Sequence, residues 1–190
     1  MITGFSLPME TIITPKWPLR LVIVRHGQSE QNVALDLLDE DLEEILDNLK
    51  KVRDADINLA PFGEWQTDQT GLYLATTPKF DVCFTSPYKR TVRTAQNIVA
   101  QLPYEVRIFS DDRLREKEFG RLHGYSKKEI RDIYPEEFED RRRDGKYWYR
   151  LPRGENYPDV AMRVHQFSDK LVRDWGGKQV LVVTHQVPYK

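Results

Sequence analysis

The chain has 190 residues, 39% of them apolar and 31% charged, with a formal net charge of −1. That length suits one domain with a sizeable core, and the charge balance excludes a protein drawn in bulk to nucleic acid or acidic membranes. The single cysteine, Cys83, excludes an internal disulfide; within Val82-Cys83-Phe84 it reads as a core residue of a reducing compartment, so a cytoplasmic location is expected.

Residues 1–18, broken by Pro8 and Pro15, read as an extended N-terminal arm without the basic start and apolar stretch of a signal peptide. No segment is apolar enough to span a membrane, and 19–190 reads as one domain. Leu21-Val22-Ile23-Val24 is a short, β-branched run and predicts a buried strand that delivers Arg25-His26-Gly27 to a helix starting near Gln28. Residues 33–56 read as a charged helical insertion, in which the helix from Gln28, or a second one after a break, continues to about Arg53. Leu35, Leu38, Leu42, Ile45, Leu49 and Val52 make one apolar stripe along it, with acids at its beginning and Lys50, Lys51 and Arg53 at its end. Packing on its own domain is the first reading of the stripe. A homodimer contact and a lid are the others.

Pro61 opens a helix reaching Thr76, Phe80–Thr85 is a second buried strand, and a helix with Arg90 and Arg93 runs from Ser86-Pro87 to Gln101. A third strand is predicted over Glu105–Phe109, then helical turns over Ser126–Tyr134 and Pro135–Arg143. Next comes an aromatic, basic loop from Tyr147 to Gly154, suited to selecting an anionic or ring-bearing substrate. A long helix from Glu155 to Trp175 ends at Gly176-Gly177, and the strand Gln179–Val183 leads into Thr184-His185. Strands alternating with helices predict an α/β fold, a three-layer sandwich around a mostly parallel central sheet.

In such a sheet the strand ends at Arg25-His26, Thr85-Ser86 and Thr184-His185 share one edge, where ligands bind. The loop Leu114–Gly120 can bring a carboxyl to the same crevice. Arg25 and Arg90 supply forked donors for phosphoryl oxygens. A neutral imidazole can attack phosphorus and hold the group as phosphohistidine, while a protonated carboxyl serves the leaving alkoxide and then the incoming water. No cofactor is called for. The chain also offers no acidic triad or Cys/His cluster with ligand spacing, so no metal site is expected. His123, His165, Arg93 and Arg141-Arg142-Arg143 read as ordinary loop or surface residues.

Six ordered segments from Leu21 onward resemble the histidine phosphatase superfamily, the phosphoglycerate mutase-like family. They are Val24-Arg25-His26-Gly27-Gln28-Ser29-Glu30-Gln31-Asn32, Leu59-Ala60-Pro61-Phe62-Gly63-Glu64-Trp65-Gln66, Thr85-Ser86-Pro87-Tyr88-Lys89-Arg90-Thr91-Val92-Arg93-Thr94-Ala95, Leu114-Arg115-Glu116 with Phe119-Gly120, Pro152-Arg153-Gly154-Glu155, and Val182-Val183-Thr184-His185. The resemblance implies the phosphoglycerate mutase-like fold, with His26 as the phosphorylated nucleophile and Glu116 as proton donor. It also implies Arg25, Arg90 and His185 as the phosphate clamp, and Asn32 and Glu155 as further substrate-binding residues.

Three departures stand out. Gln186 replaces the usual Gly, the segment from Asn32 to Leu59 is long, and the chain stops at Lys190, where family members continue with another helix and usually a strand. On this reading the C-terminal helix and strand are missing. The function the resemblance implies is metal-independent, acid-phosphatase-type hydrolysis of a small phosphorylated metabolite. A cofactor-dependent phosphoglycerate mutase is one alternative, though those mutases usually carry a longer insertion than lies between Glu116 and Glu155. A non-catalytic phospho-ligand or scaffold domain is the other.

Overall fold

The computed structural model describes residues 16–36 and 43–189. Strands β1 (Arg20–Arg25), β2 (Val82–Thr85), β3 (Ile108–Ser110) and β4 (Gln179–Thr184) form one sheet in the order β1-β4-β2-β3. Every neighbouring pair is parallel. The helices are α1 (Glu30–Asp36), α2 (Glu43–Lys50), α3 (Pro61–Ala75), α4 (Lys89–Ala100), α5 (Lys127–Ile133), α6 (Pro135–Trp148), α7 (Tyr157–Asp174) and the short α8 (Gln186–Tyr189). Among the described residues no helix is long and apolar enough to cross a membrane.

The central strands are apolar on both faces because both faces are covered. On one side Cys83, Leu181 and Val183 pack against Leu74 of α3 and Ala95 and Ile98 of α4. On the other, Val82, Phe84, Val180 and Val182 meet Phe167 and Leu171 of α7. Each such buried Val, Leu, Ile or Phe side chain contributes roughly 1.5–3 kcal/mol relative to leaving it in water. These are the three layers that alternating strands and helices predict. β1 lies at the sheet edge. Its Val22 and Val24 join the α3–α4 side, whereas Leu21 and Ile23, on the α7 side, are 39% and 41% exposed.

The register brings the loaded strand ends together. Arg25 pairs with Thr184 and Thr85 with Val183. The bonds continue past the strands, His26 N–H donating to the Thr184 carbonyl (3.0 Å) and Ser86 N–H to that of Val183 (3.1 Å). The exit from β1 is also fixed by close backbone packing. A Cβ on Gly27 would sit 2.6 Å from the Gly63 carbonyl oxygen, and one on Gly63 would sit 2.1 Å from that of Gln28. Only two glycines let the first turn of α3 lie against the strand exit.

Element boundaries differ from expectation at several places, β3 among them, which starts at Ile108 rather than Glu105. Helix α1 starts at Glu30 because Ser29 caps it, its hydroxyl accepting from Asn32 N–H at 3.2 Å. Helix α6 runs past Arg143 to Trp148, broken at Gly145 (φ 78°), so Tyr147 and Trp148 lie in a last turn rather than a loop. Of the striped segment the structure describes α1 and α2, which suits the reading with two helices. Leu38 and Leu42 of the stripe, and the N-terminal arm up to residue 15, lie outside the described residues.

Candidate active site

His26 is 8% exposed at the end of β1, and its Nδ1 lies 2.7 Å from the Gly27 carbonyl oxygen. A carbonyl only accepts, so Nδ1 carries the proton and Nε2 keeps its lone pair. Burial, with the Arg90 charge adding to it, pushes the His26 pKa down to about 3. The ring is therefore neutral and nucleophilic over nearly the whole useful pH range.

Two guanidiniums flank it. Arg25, exposed at the strand end, has no side-chain hydrogen bond or ion pair among the described residues and lines the cavity before His26. Arg90, in the first turn of α4, is 4% exposed. Its Nη1 donates to the Asp54 carbonyl (2.5 Å) and lies 2.8 Å from Asp54 Oδ1. This pair orients the guanidinium. It leaves Nε and Nη2 without a protein acceptor among the described residues, available to phosphoryl oxygens.

Glu116 reaches the same cavity from the loop after β3 and is 8% exposed. Burial pushes its carboxyl above the ordinary carboxylate range, opposed by the backbone N–H groups of Lys117 (2.8 Å) and Val187 (3.3 Å). Both land on Oε1, which leaves Oε2 as the place for a proton. The loop is held from beneath by Arg163 of α7. Its guanidinium donates to the carbonyls of Arg113 (2.7 Å), Arg115 (2.7 Å) and Glu116 (3.1 Å) and to both oxygens of Glu155 (3.0 Å each). Glu155 also pairs with Arg115 and accepts from Glu118 N–H. Expected from the resemblance to bind substrate, Glu155 instead has both oxygens engaged by the protein and does not line the cavity.

His185 is fully buried behind His26, ring centroids 5.1 Å apart and edge to face. It does not line the cavity. Its Nε2 is 2.8 Å from Ser86 Oγ, while its buried Nδ1 has no partner. Burial, and secondarily Arg90, hold its pKa well below the usual value. Asn32 does line the cavity. Its Oδ1 accepts from Ser29 N–H and Oγ–H, which leaves its amide NH2 group unengaged among the described residues. His26, Arg25, Arg90, Glu116 and Asn32 thus surround one cavity of about 220 Å³, to which Gln186 also contributes. Asp54, Ser86 and Arg163 went unseen in the sequence. Ser86 sat inside a quoted motif, but nothing local distinguishes Asp54 or Arg163 from the other charged residues. Among the described residues no three His, Cys, Asp or Glu side chains gather as a metal site requires.

A family model described as the histidine phosphatase superfamily, branch 1, matches residues 21–190. A 2,3-bisphosphoglycerate-dependent phosphoglycerate mutase of Cytophaga hutchinsonii is 32% identical over 168 residues, covering 87% of this chain and 71% of that protein. The human 6-phosphofructo-2-kinase/fructose-2,6-bisphosphatase 3 is 39% identical over 103 residues, which is 54% of this chain and only 18% of that protein. The solved structure of Bacillus stearothermophilus YhfR superposes with a TM-score of 0.70 at 27% identity, over 90% of this chain and 75% of that one. The chain belongs to the histidine phosphatase superfamily, branch 1.

Proposed function

We propose that the chain hydrolyses small phosphomonoesters through a phosphohistidine on His26. One observation carries this reading: an imidazole with its Nε2 lone pair free shares a single cavity with two guanidiniums and a carboxyl biased towards its protonated form. The ester's phosphoryl oxygens sit between Arg25 and Arg90, with the Asn32 amide beside them. Nε2 attacks phosphorus in line as the P–O bond to the leaving group breaks, and the developing charge is spread over oxygens facing fixed cations. Glu116 gives its proton to the departing alkoxide. The resulting carboxylate then takes a proton from water, whose oxygen attacks the phosphorus of phosphohistidine; the N–P bond breaks and inorganic phosphate leaves. His185 packs against the nucleophile's ring and limits how it can turn.

A second reading, transfer of the group to a bound phosphoglycerate, is favoured by the similarity to the Cytophaga mutase over 87% of this chain. The two differ in the acceptor of the phosphoryl group. Steady release of inorganic phosphate from para-nitrophenyl phosphate, with no primer requirement, is the expected result. Phosphoglycerate interconversion that needs a bisphosphate primer, without phosphate release, would overturn it in favour of the mutase. Inactivity in both assays would overturn both.

A further inference from the structure

A larger cleft of about 930 Å³ opens beside the catalytic cavity, and the two share Asp54, His123 and Tyr125 as a common boundary.

 The loop contributes to both sides, Phe119 and Leu122 lining the cavity while Gly120 and Arg121 line the cleft. A ligand whose phosphate rests before His26 and which outgrows the cavity has the cleft past His123 as its adjoining space.

The cleft is cationic in surplus. Three of its acids are already paired with cations of the protein. Asp54 lies against Arg90, Asp56 pairs with Lys89 at 3.3 Å, and Asp112 pairs with Arg115 at 2.9 Å. Glu118 accepts from Gly120 N–H. Arg53 and Arg121 are both exposed and line the same cleft, and neither has a carboxylate partner among the described residues. His123, at the junction, holds a buried Nε2 with no hydrogen-bond partner. Two guanidiniums without a carboxylate partner on one cleft suit an anionic group of a ligand.

We infer that Arg53 and Arg121 form a second anion subsite, so that the substrate is a small phosphomonoester bearing a further phosphate or carboxylate. This rests on the phosphoryl-transfer reading above for where the reacting phosphate sits. Arg53 belongs to the 33–56 insertion, which gives that segment a part in substrate choice.

The test measures binding to a His26→Ala form of the full chain, which needs no turnover. Calorimetry compares glycerol 3-phosphate with 3-phosphoglycerate, and fructose 6-phosphate with fructose 1,6-bisphosphate. Tighter binding by about tenfold or more is expected for the doubly anionic member of at least one pair. The pair that responds tells carboxylate from phosphate. The preference should collapse towards one in Arg53→Ser/Arg121→Ser and persist in Arg53→Lys/Arg121→Lys, both sites being exposed and tolerant of change. Equal binding within both pairs, or a preference that survives the serine variant, overturns the subsite. A protein that shows the arginine-dependent preference but releases no phosphate when His26 is restored keeps the subsite and loses the hydrolase reading. Hydrolysis without any preference does the reverse.

Discussion

In the proposed reaction one hydrogen bond at His26 decides the chemistry: Nδ1 held by the Gly27 carbonyl leaves Nε2 as the atom to attack, and burial keeps the ring neutral down to about pH 3. Glu116 is shifted the other way, its proton held above the ordinary carboxylate range by burial. The productive state needs His26 deprotonated and Glu116 protonated. kcat/KM should therefore rise with pH through about 3 and fall once Glu116 ionises, above its ordinary value of 4.5. Glu116→Gln should remove that fall and cost about 10²–10⁴-fold in kcat on alkyl phosphates, with a smaller loss on para-nitrophenyl phosphate, whose leaving group needs no proton. A pH–rate series on both substrates checks this; an unchanged alkaline limb in the variant would count against Glu116. His26, Arg25, Arg90, Glu116 and Asn32 were all legible in the sequence because each lies in a motif at a strand or loop end. Asp54 was not, because its contact with Arg90 spans 36 positions and depends on how the chain returns before α3.

Among the elements, α7 does more than cover the sheet. Arg163 joins three carbonyls of the Glu116 loop to the Glu155 carboxylate, so a helix on one face positions the proposed proton donor at the sheet edge. Arg163→Met leaves the partly buried Glu155 charge with Arg115 as its remaining cation, and should cost roughly 1.5–3 kcal/mol of stability. Arg163→Met/Glu155→Gln should recover much of that loss without restoring kcat, because the loop carbonyls still lack their donor. Urea melts and kcat measured on both variants test the point. Full activity in the double variant would show that the loop holds its own shape. The sequence revealed α7 through its apolar face but assigned Glu155 to substrate. A family motif records that a carboxylate belongs there, and only packing tells whether it faces ligand or protein. The boundary at Ser29 was missed by two residues because capping turns on a side-chain bond that apolar periodicity does not register.

For the molecule as a whole, the parallel order β1-β4-β2-β3 gathers residues from both ends of the chain, and burying two neutral histidines links that assembly to pH. The folded His26 pKa, about 3, lies below the ordinary 6.5 of the unfolded chain. Below 6.5 the unfolded state binds the proton that the folded state refuses. The contribution is thus complete above 6.5 and is lost as pH falls towards 3. Between about pH 7 and about pH 5 the parent should lose about 2 kcal/mol more than His26→Gln. Urea unfolding at the two values measures this, and equal losses would contradict a buried neutral ring. The alternation of strands and helices made the three layers readable. The edge position of β1, with Leu21 and Ile23 partly open, was not, since strand order depends on contacts between distant segments.

The most direct test is to mix the full chain with para-nitrophenyl phosphate, quench in alkali during turnover, and map the phosphoryl group by mass spectrometry. One phosphoryl group on the His26 imidazole, absent from His26→Ala, is the predicted result. Turnover with the label on another side chain, or with no labelled protein at any quench time, would contradict it.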